Sequence, residues 1–238
     1  SDLPTPIIGD NPIISKGIHG IYDYRHHEVI YTFLDTPFAI TLAYNEMANA
    51  FTSFYDFHPK IYIGDEYYII SPNPNDDDSL WIHNKGDYTN FYGTSGVLSV
   101  DVEVSYLPQI TKVFDNIGFH IQVTDIDNES SKINILDETI TKIRFNNDYQ
   151  NSGDITPDST PLTGNVTRKE REWQMAIARN AVVGSNVDIF NPANLDQSQQ
   201  FKDRLRDKYM TVSIEFNNPS DRKVILHYLK TYFRKSVR

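Results

Sequence analysis

Cysteine is absent from this 238-residue sequence. That excludes disulfides and thiolate metal sites, and it fits synthesis in a reducing compartment. Long apolar runs are absent as well. None approaches the roughly 18 residues that a spanning helix needs, and no signal-peptide pattern is visible, so no membrane partner is expected. Basic residues are scarce at the start: residues 1–95 hold 4 Lys+Arg against 13 Asp+Glu, about −9 of a net −10. Residues 202–238 reverse the balance, with 10 basic and 4 acidic side chains, about +6. Such asymmetry suits head-to-tail contact between copies or docking on an oppositely charged neighbour; two plainly solvated faces would look the same.

Aromatic residues are plentiful. Tyr 15 and Phe 13 bring the aromatic content to 13%, which suits a β-rich protein whose sheets are held by aromatic pairs. The stretch that organises this reading is Ala50–Pro59, AFTSFYDFHP. Phe51, Ser53, Tyr55 and Phe57 take one face of an extended segment, and Thr52, Phe54 and Asp56 take the other. Aromatics on both faces predict a central strand covered on both sides, with Phe51, Tyr55 and Phe57 buried and Pro59 ending it. The stretch carries no nucleophile–base pair, phosphate loop or metal-ligand spacing.

Residues 1–16, with three prolines, read as an extended arm. Gly20–Tyr24 and Glu28–Phe33 then flank a polar tip, Arg25-His26-His27. Phe38–Tyr44 is the next strand, followed by a turn over 45–49 and by Phe51–Phe57. Lys60–Ile63 and Glu66–Ser71 form a hairpin around Gly64-Asp65, and Leu80–His83 follows a loop over 72–79. Residues 17–95 therefore read as an antiparallel meander or propeller-blade-like domain. From Gly96 the texture changes. Val97–Tyr106 alternates as a half-exposed strand does, and Lys112–Asp115, Ile117–Thr124 and Thr139–Phe145 follow. Arg168–Ala176 reads as strand rather than helix, because Trp173, Met175 and Ile177 alternate. Met210–Phe216 and Val224–Phe233 are expected to pair as a closing hairpin. Residues 96–238 are thus a β-sandwich-like domain with long loops at 146–165 and 183–200. The fold class is all-β.

Several constellations invite chemistry. Asn75-Asp76-Asp77-Asp78 offers hard oxygen ligands but lacks the glycine and distal glutamate of a calcium loop, so a solvated turn is the better reading. Asp125–Glu129 sits where a turn is needed. His26 and His27 point to opposite faces and bind a metal only if partners come from elsewhere. His58, His83 and His120 lie singly among aromatics and read as packed or hydrogen-bonded. No two carboxylates are singled out as a glycosidase pair. Lys230, Arg234, Lys235 and Arg238 beside Tyr228, Tyr232 and Phe233 have the mixture that tracks nucleic-acid backbones, but a protected sheet edge is favoured. No catalytic, cofactor-binding or metal site is assigned, and no cofactor is expected.

The phrases themselves resemble a family. Gly20-Ile21-Tyr22-Asp23, Glu28–Phe33, Ala43-Tyr44-Asn45-Glu46 and Phe51–Pro59 are similar to segments of the virion structural proteins of crAss-like bacteriophages. So are Leu80-Trp81-Ile82-His83-Asn84, Asn90-Phe91-Tyr92-Gly93 and Arg204–Phe216, in that order. The resemblance implies a non-enzymatic, muzzle-type component of a phage tail. Its partners would be copies of itself in a ring or cap, and other tail proteins. A chain opening on Ser1 is expected to be a processed product or a C-terminal segment of a longer polypeptide. Two blades alone would leave aromatics such as Tyr22, Tyr31 and Phe33 uncovered, so an upstream segment of the same polypeptide is a further expected partner. The alternative from another class is a receptor- or glycan-binding module of the tail, with Tyr88, Phe91 or Tyr92 stacking on sugars. A nucleic-acid partner is not favoured.

Overall fold

The structure, a computed structural model, describes residues 17–34, 39–74, 76–127, 131–196, 198, 202–218 and 221–236. Its strands are β1 (Ile18–Asp23), β2 (Glu28–Phe33), β3 (Ile40–Asn45), β4 (Ala50–Tyr55), β5 (Ile63–Gly64) and β6 (Ile69–Asn73). There follow β7 (Asp76–Ile82), β8 (Asn90–Phe91), β9 (Thr94–Ser95), β10 (Leu98–Val104), β11 (Lys112–Asp127) and β12 (Ser131–Ile135). The last six are β13 (Lys142–Asn146), β14 (Val166–Lys169), β15 (Glu172–Ala176), β16 (Arg206–Asp207), β17 (Met210–Phe216) and β18 (Lys223–Lys235). A single 3-10 turn, Pro192–Asn194, is the only helical element among the described residues. The all-β expectation is met. Two compact units divide the chain, Ser1–Gly86 and Asp87–Arg238.

In the first unit β1–β4 form an antiparallel meander in chain order, and β5–β7 form a second. Local chemistry sets the turns. At the first tip the Asp23 carboxylate accepts the Arg25 N–H at 2.9 Å, and His27 takes a positive φ of 54°. Asn45 accepts the Ala48 N–H at 2.9 Å and so opens the turn into β4. Asp65 accepts the Tyr67 and Tyr68 N–H groups at 2.8 and 3.0 Å. Beside it, a Cβ on Gly64 would stand 2.6 Å from Ile21 Cδ1 and 2.7 Å from the Tyr68 carbonyl. Only glycine permits that approach.

One expectation is corrected here. β4 is not central: it is the edge of its meander, paired with β3 alone. Phe51 is 62% exposed and Phe54 80%, while Tyr55 and Phe57 are half-buried. Pairing with a single neighbour leaves β4 at the edge of its sheet, and the exposure of Phe51 and Phe54 shows that the face they share is open.

The second unit is built on β11. Of its 16 residues, those from Lys112 to Thr124 pair along one edge with β18, from Lys112–Lys235 to Thr124–Lys223. Along the other edge it pairs in succession with β16, β15 and β12. A second sheet, β10-β17-β13, shares one core with it. Phe114, Ile117 and Phe119 from β11 pack there with Phe145, Trp173 and Val212, all nearly or wholly buried. This is the sandwich-like arrangement expected for the C-terminal part. β17 shows why: its residues alternate strictly between buried and half-buried.

β17 and β18 do not form a hairpin with each other; they lie in different sheets. Between them Asn218 is buried, donating to the Arg222 carbonyl at 2.6 Å and accepting the Arg222 N–H at 2.9 Å. That clasp carries the chain from one sheet to the other. The strand-rich reading of Arg168–Ala176 holds as the β14–β15 hairpin. Asn151, wholly buried, ties the two long loops together. Its amide donates to the Ile189 carbonyl at 2.8 Å and its side-chain oxygen accepts the Gly153 N–H at 2.8 Å.

Candidate functional site

The β1–β4 meander has two faces of opposite character. Cross-strand pairing places Gly20, Tyr31 and Leu42 side by side, and likewise Tyr22, Val29 and Tyr44. Ile18, Phe33 and Ile40 complete the row. A bulge between β3 and β4 sets Phe54 opposite Leu42 and Phe51 opposite Tyr44. Without it, Phe51 and Phe54 would point to opposite sides; with it, both join this face. The Tyr44 and Phe51 rings meet edge to face at 5.3 Å. Tyr22, Tyr31 and Phe33 are half-buried, and Ile18 is 65% exposed. An aromatic sheet face stands open to solvent.

The opposite face is buried and unusually polar. Asp23, Glu28, Thr32 and Thr41 lie there with Ile30 and Ala43. Each polar group is answered. Thr32 Oγ1 lies 2.8 Å from Thr41 Oγ1 and 2.6 Å from the Tyr62 hydroxyl. Thr41 Oγ1 donates to the Phe57 carbonyl at 2.5 Å and lies 3.0 Å from His58 Nδ1. His83 Nε2 sits 2.6 Å from Ser71 Oγ, and burial holds its pKa down at about 4. The Tyr55 hydroxyl donates to Glu28 Oε1 at 3.2 Å, and burial followed by the Glu28 charge raises its pKa to about 12.

Glu28 stands directly opposite Asp23, and His26 curls back so that its Nδ1 lies 2.8 Å from Asp23 Oδ2. One ligand atom from each of Asp23, His26 and Glu28 falls within 4.8 Å of the other two. Partners for His26 do therefore come from elsewhere in the hairpin; His27 takes no part. A cavity of about 10 Å³ borders Asp23, Tyr67, Ile69 and His83. It has room for about one water and none for a sugar ring.

The remaining flagged residues are placed as follows. Asp76–Asp78 open β7 rather than forming a turn, and Asn75 lies outside the described residues. Asp125–Asp127 continue β11, again strand where a turn was expected, and Asn128 and Glu129 lie outside the described residues. His120 stacks on His227 with ring centroids 4.5 Å apart. Lys230 Nζ donates to Glu172 at 2.8 Å, and Arg234 donates to Asp115 at 2.7 and 3.1 Å. With both cations engaged on carboxylates, β18 reads as a guarded edge; Arg238 lies outside the described residues. Phe91 and Tyr92 meet edge to face at 4.5 Å, and Tyr88 is exposed. Sequence reasoning left the open aromatic face unassigned, although it flagged Tyr22, Tyr31 and Phe33 as lacking cover. A signal was present in β2 and β3, where the bulkier apolar set lies opposite Thr32 and Thr41.

Two family models match the sequence. Residues 6–73 match the crassvirus muzzle protein, and residues 86–180 match the crassvirus muzzle protein C-terminal domain. The chain belongs to the crassvirus muzzle family. No curated protein matches it in sequence. Membership makes this muzzle chain a structural component of a virion and implies a non-enzymatic role. The second match opens at Gly86, where the two units divide, and closes at Asn180. Beyond it, β16–β18 and their flanks still supply Leu205, Met210, Val212, Ile214 and Phe216 to the core of the muzzle C-terminal unit.

Proposed function

We propose that this muzzle chain works in the phage tail, assembling with copies of itself and with other tail proteins through the open face of β1–β4. The observation that carries this reading is the exposure of Phe51 and Phe54, at 62% and 80%, on a face shared with Tyr44 and Leu42. Contiguous exposed aromatics of this kind mark protein contacts. A bulge that turns both phenylalanines outward gives the face its shape. Covering it with a partner removes apolar surface from water at about 25 cal/mol per Å². The test is a Phe51→Asp/Phe54→Asp variant compared with the parent by sedimentation and by incorporation into particles. Loss of association with an unchanged circular-dichroism melt is expected. A variant that assembles as the parent does would overturn the reading.

A second reading, a glycan-binding module, draws on a different feature. A depression of about 500 Å³ is lined by Asn116, Asn165, Thr167, Gln174 and Tyr232, among others. Amides beside one aromatic ring suit sugar hydroxyls and a sugar face. Glycan-array binding by the parent, lost on Tyr232→Ala and Gln174→Ala, would favour it over the assembly reading.

A further inference from the structure

The hairpin of β1 and β2 ends in an arrangement that the assembly role does not use. Asp23 and Glu28 are a directly opposed cross-strand pair, and both are more than nine-tenths buried. Like charges opposite each other on antiparallel strands repel, and burial adds the cost of removing each from water. Among the described residues no lysine or arginine forms an ion pair with either; the one ion-pair partner is His26 on Asp23. Asp23 also accepts the Arg25 N–H, and Glu28 accepts the Tyr55 hydroxyl. One imidazolium balances one carboxylate and leaves the second charge to neutral donors. A dication balances both.

We propose that Asp23, His26 and Glu28 bind a divalent transition-metal ion of the zinc or manganese class. One imidazole nitrogen and two carboxylates are the donors such ions take, with water completing the shell. Three donors around one ion at about 2.0–2.2 Å lie roughly 3–4 Å apart. The three donor atoms lie within 4.8 Å of one another, His26 Nδ1 is already 2.8 Å from Asp23 Oδ2, and the His26 side chain is 56% exposed at the tip, so small side-chain adjustments bring the donors to those spacings. The carboxylates are held in place by the sheet, so the site is organised on its buried side and open on its solvent side. As the ion enters, the Nδ1–H···Oδ2 hydrogen bond breaks, the Nδ1 proton leaves to water while Nε2 keeps the ring's other proton, and the freed Nδ1 lone pair binds the metal as a neutral imidazole. The surplus of about nine negative charges in residues 1–95 raises the local cation concentration. The ion would pin the β1–β2 tip from inside the fold.

The experiment uses the full 238-residue chain, freed of metal with a chelator and titrated separately with ZnCl₂ and MnCl₂. Bound ion is counted by elemental analysis, and Mn²⁺ is followed by its paramagnetic resonance signal. About one ion per chain and a metal-dependent rise in Tm are expected. His26→Ala should weaken binding at least ~10-fold and abolish the metal-dependent rise in Tm, on top of any drop in the metal-free melt from taking the imidazole partner away from the buried Asp23. Glu28→Gln should weaken it as well, and His27→Asn should leave it unchanged. Absence of stoichiometric binding would overturn the proposal. So would binding of equal strength in His26→Ala, which would place the ion elsewhere on the acidic surface.

Discussion

Replacing Phe119 by alanine removes a ring from the middle of β11 with nothing to fill its place. Phe119 is wholly buried, opposite Trp173 on one side and Leu229 on the other. Burying a phenylalanine side chain is worth about 1.5–3 kcal/mol from transfer out of water. The cavity left in a close-packed core brings the typical total to about 3–5 kcal/mol. Taking 4 kcal/mol and a urea m-value of about 2 kcal/mol/M, the unfolding midpoint of the C-terminal unit should fall by roughly 2 M. The matched control is Phe54→Ala, the same change at a position 80% exposed on an edge strand. It should cost no more than about 0.5 kcal/mol. Urea unfolding followed by far-ultraviolet circular dichroism reads both variants. A Phe119→Ala loss below about 1 kcal/mol would show that β11 does not hold the core. A Phe54→Ala loss of several kcal/mol would show that the outer face of β1–β4 is covered after all.

Asn151→Ala unties the two long loops by stranding the Ile189 carbonyl and the Gly153 N–H. It should cost about 2–4 kcal/mol in a urea melt, since the buried Gly153 N–H left unsatisfied costs about 1–3 and the half-buried Ile189 carbonyl adds less; a loss under about 1 kcal/mol would refute the clasp. Hydrogen bonds from Lys230 and Gln174 hold Glu172 near a pKa of about 2, against an ordinary 4.5. Its contribution is present above pH 4.5 and is lost as the pH falls toward 2, so Lys230→Met should flatten that part of an acid titration. His83 is depressed by burial from 6.5 to about 4. The unfolded chain therefore binds a proton that the folded chain refuses, and the N-terminal unit should lose stability as pH falls from 6.5 toward 4. A Tm that stays level across that window would contradict the placement of His83.

Strand positions were legible because period-two alternation survives in the sequence. Glu28–Phe33 reads as a strand and is one, residue for residue. Which face goes inward was not legible there. Val29, Tyr31 and Phe33 are the more apolar set, yet Glu28, Ile30 and Thr32 are buried. Hydrogen bonds among Thr32, Thr41, Tyr62 and His58 satisfy the polar face, and no local pattern announces partners thirty residues away. The same blindness made Phe51–Phe57 look central, since aromatics on both faces of a strand do not say whether both are covered. β11 was read as two pieces, Lys112–Asp115 and Ile117–Thr124, because polar Asn116 falls between them. Gly118 leaves room for Glu172 to cross: a Cβ would stand 2.7 Å from Glu172 Oε1, on a side chain whose other oxygen, Oε2, reaches across β11 to accept from Lys230. Two adjacent strands at the end of a chain suggest a hairpin by default, and only the buried Asn218 reveals that β17 and β18 part company. Of the candidate cluster, His26 was visible, but Asp23 and Glu28 became its partners only once the hairpin closed.

The long β11–β18 ladder gives the C-terminal unit a direction of strength. Sixteen residues of strand span about 50 Å at 3.3 Å per residue, and the ladder holds from Lys112–Lys235 to Thr124–Lys223. A load applied along that axis, pulling the two strands past each other, stretches all of the ladder's hydrogen bonds at once. A load across the axis at the Lys112–Lys235 end peels them one after another. The same bonds therefore resist sliding far better than peeling. A virion component built this way withstands tension best when its neighbours pull lengthwise on β11 and β18, and yields first where one of them is lifted away.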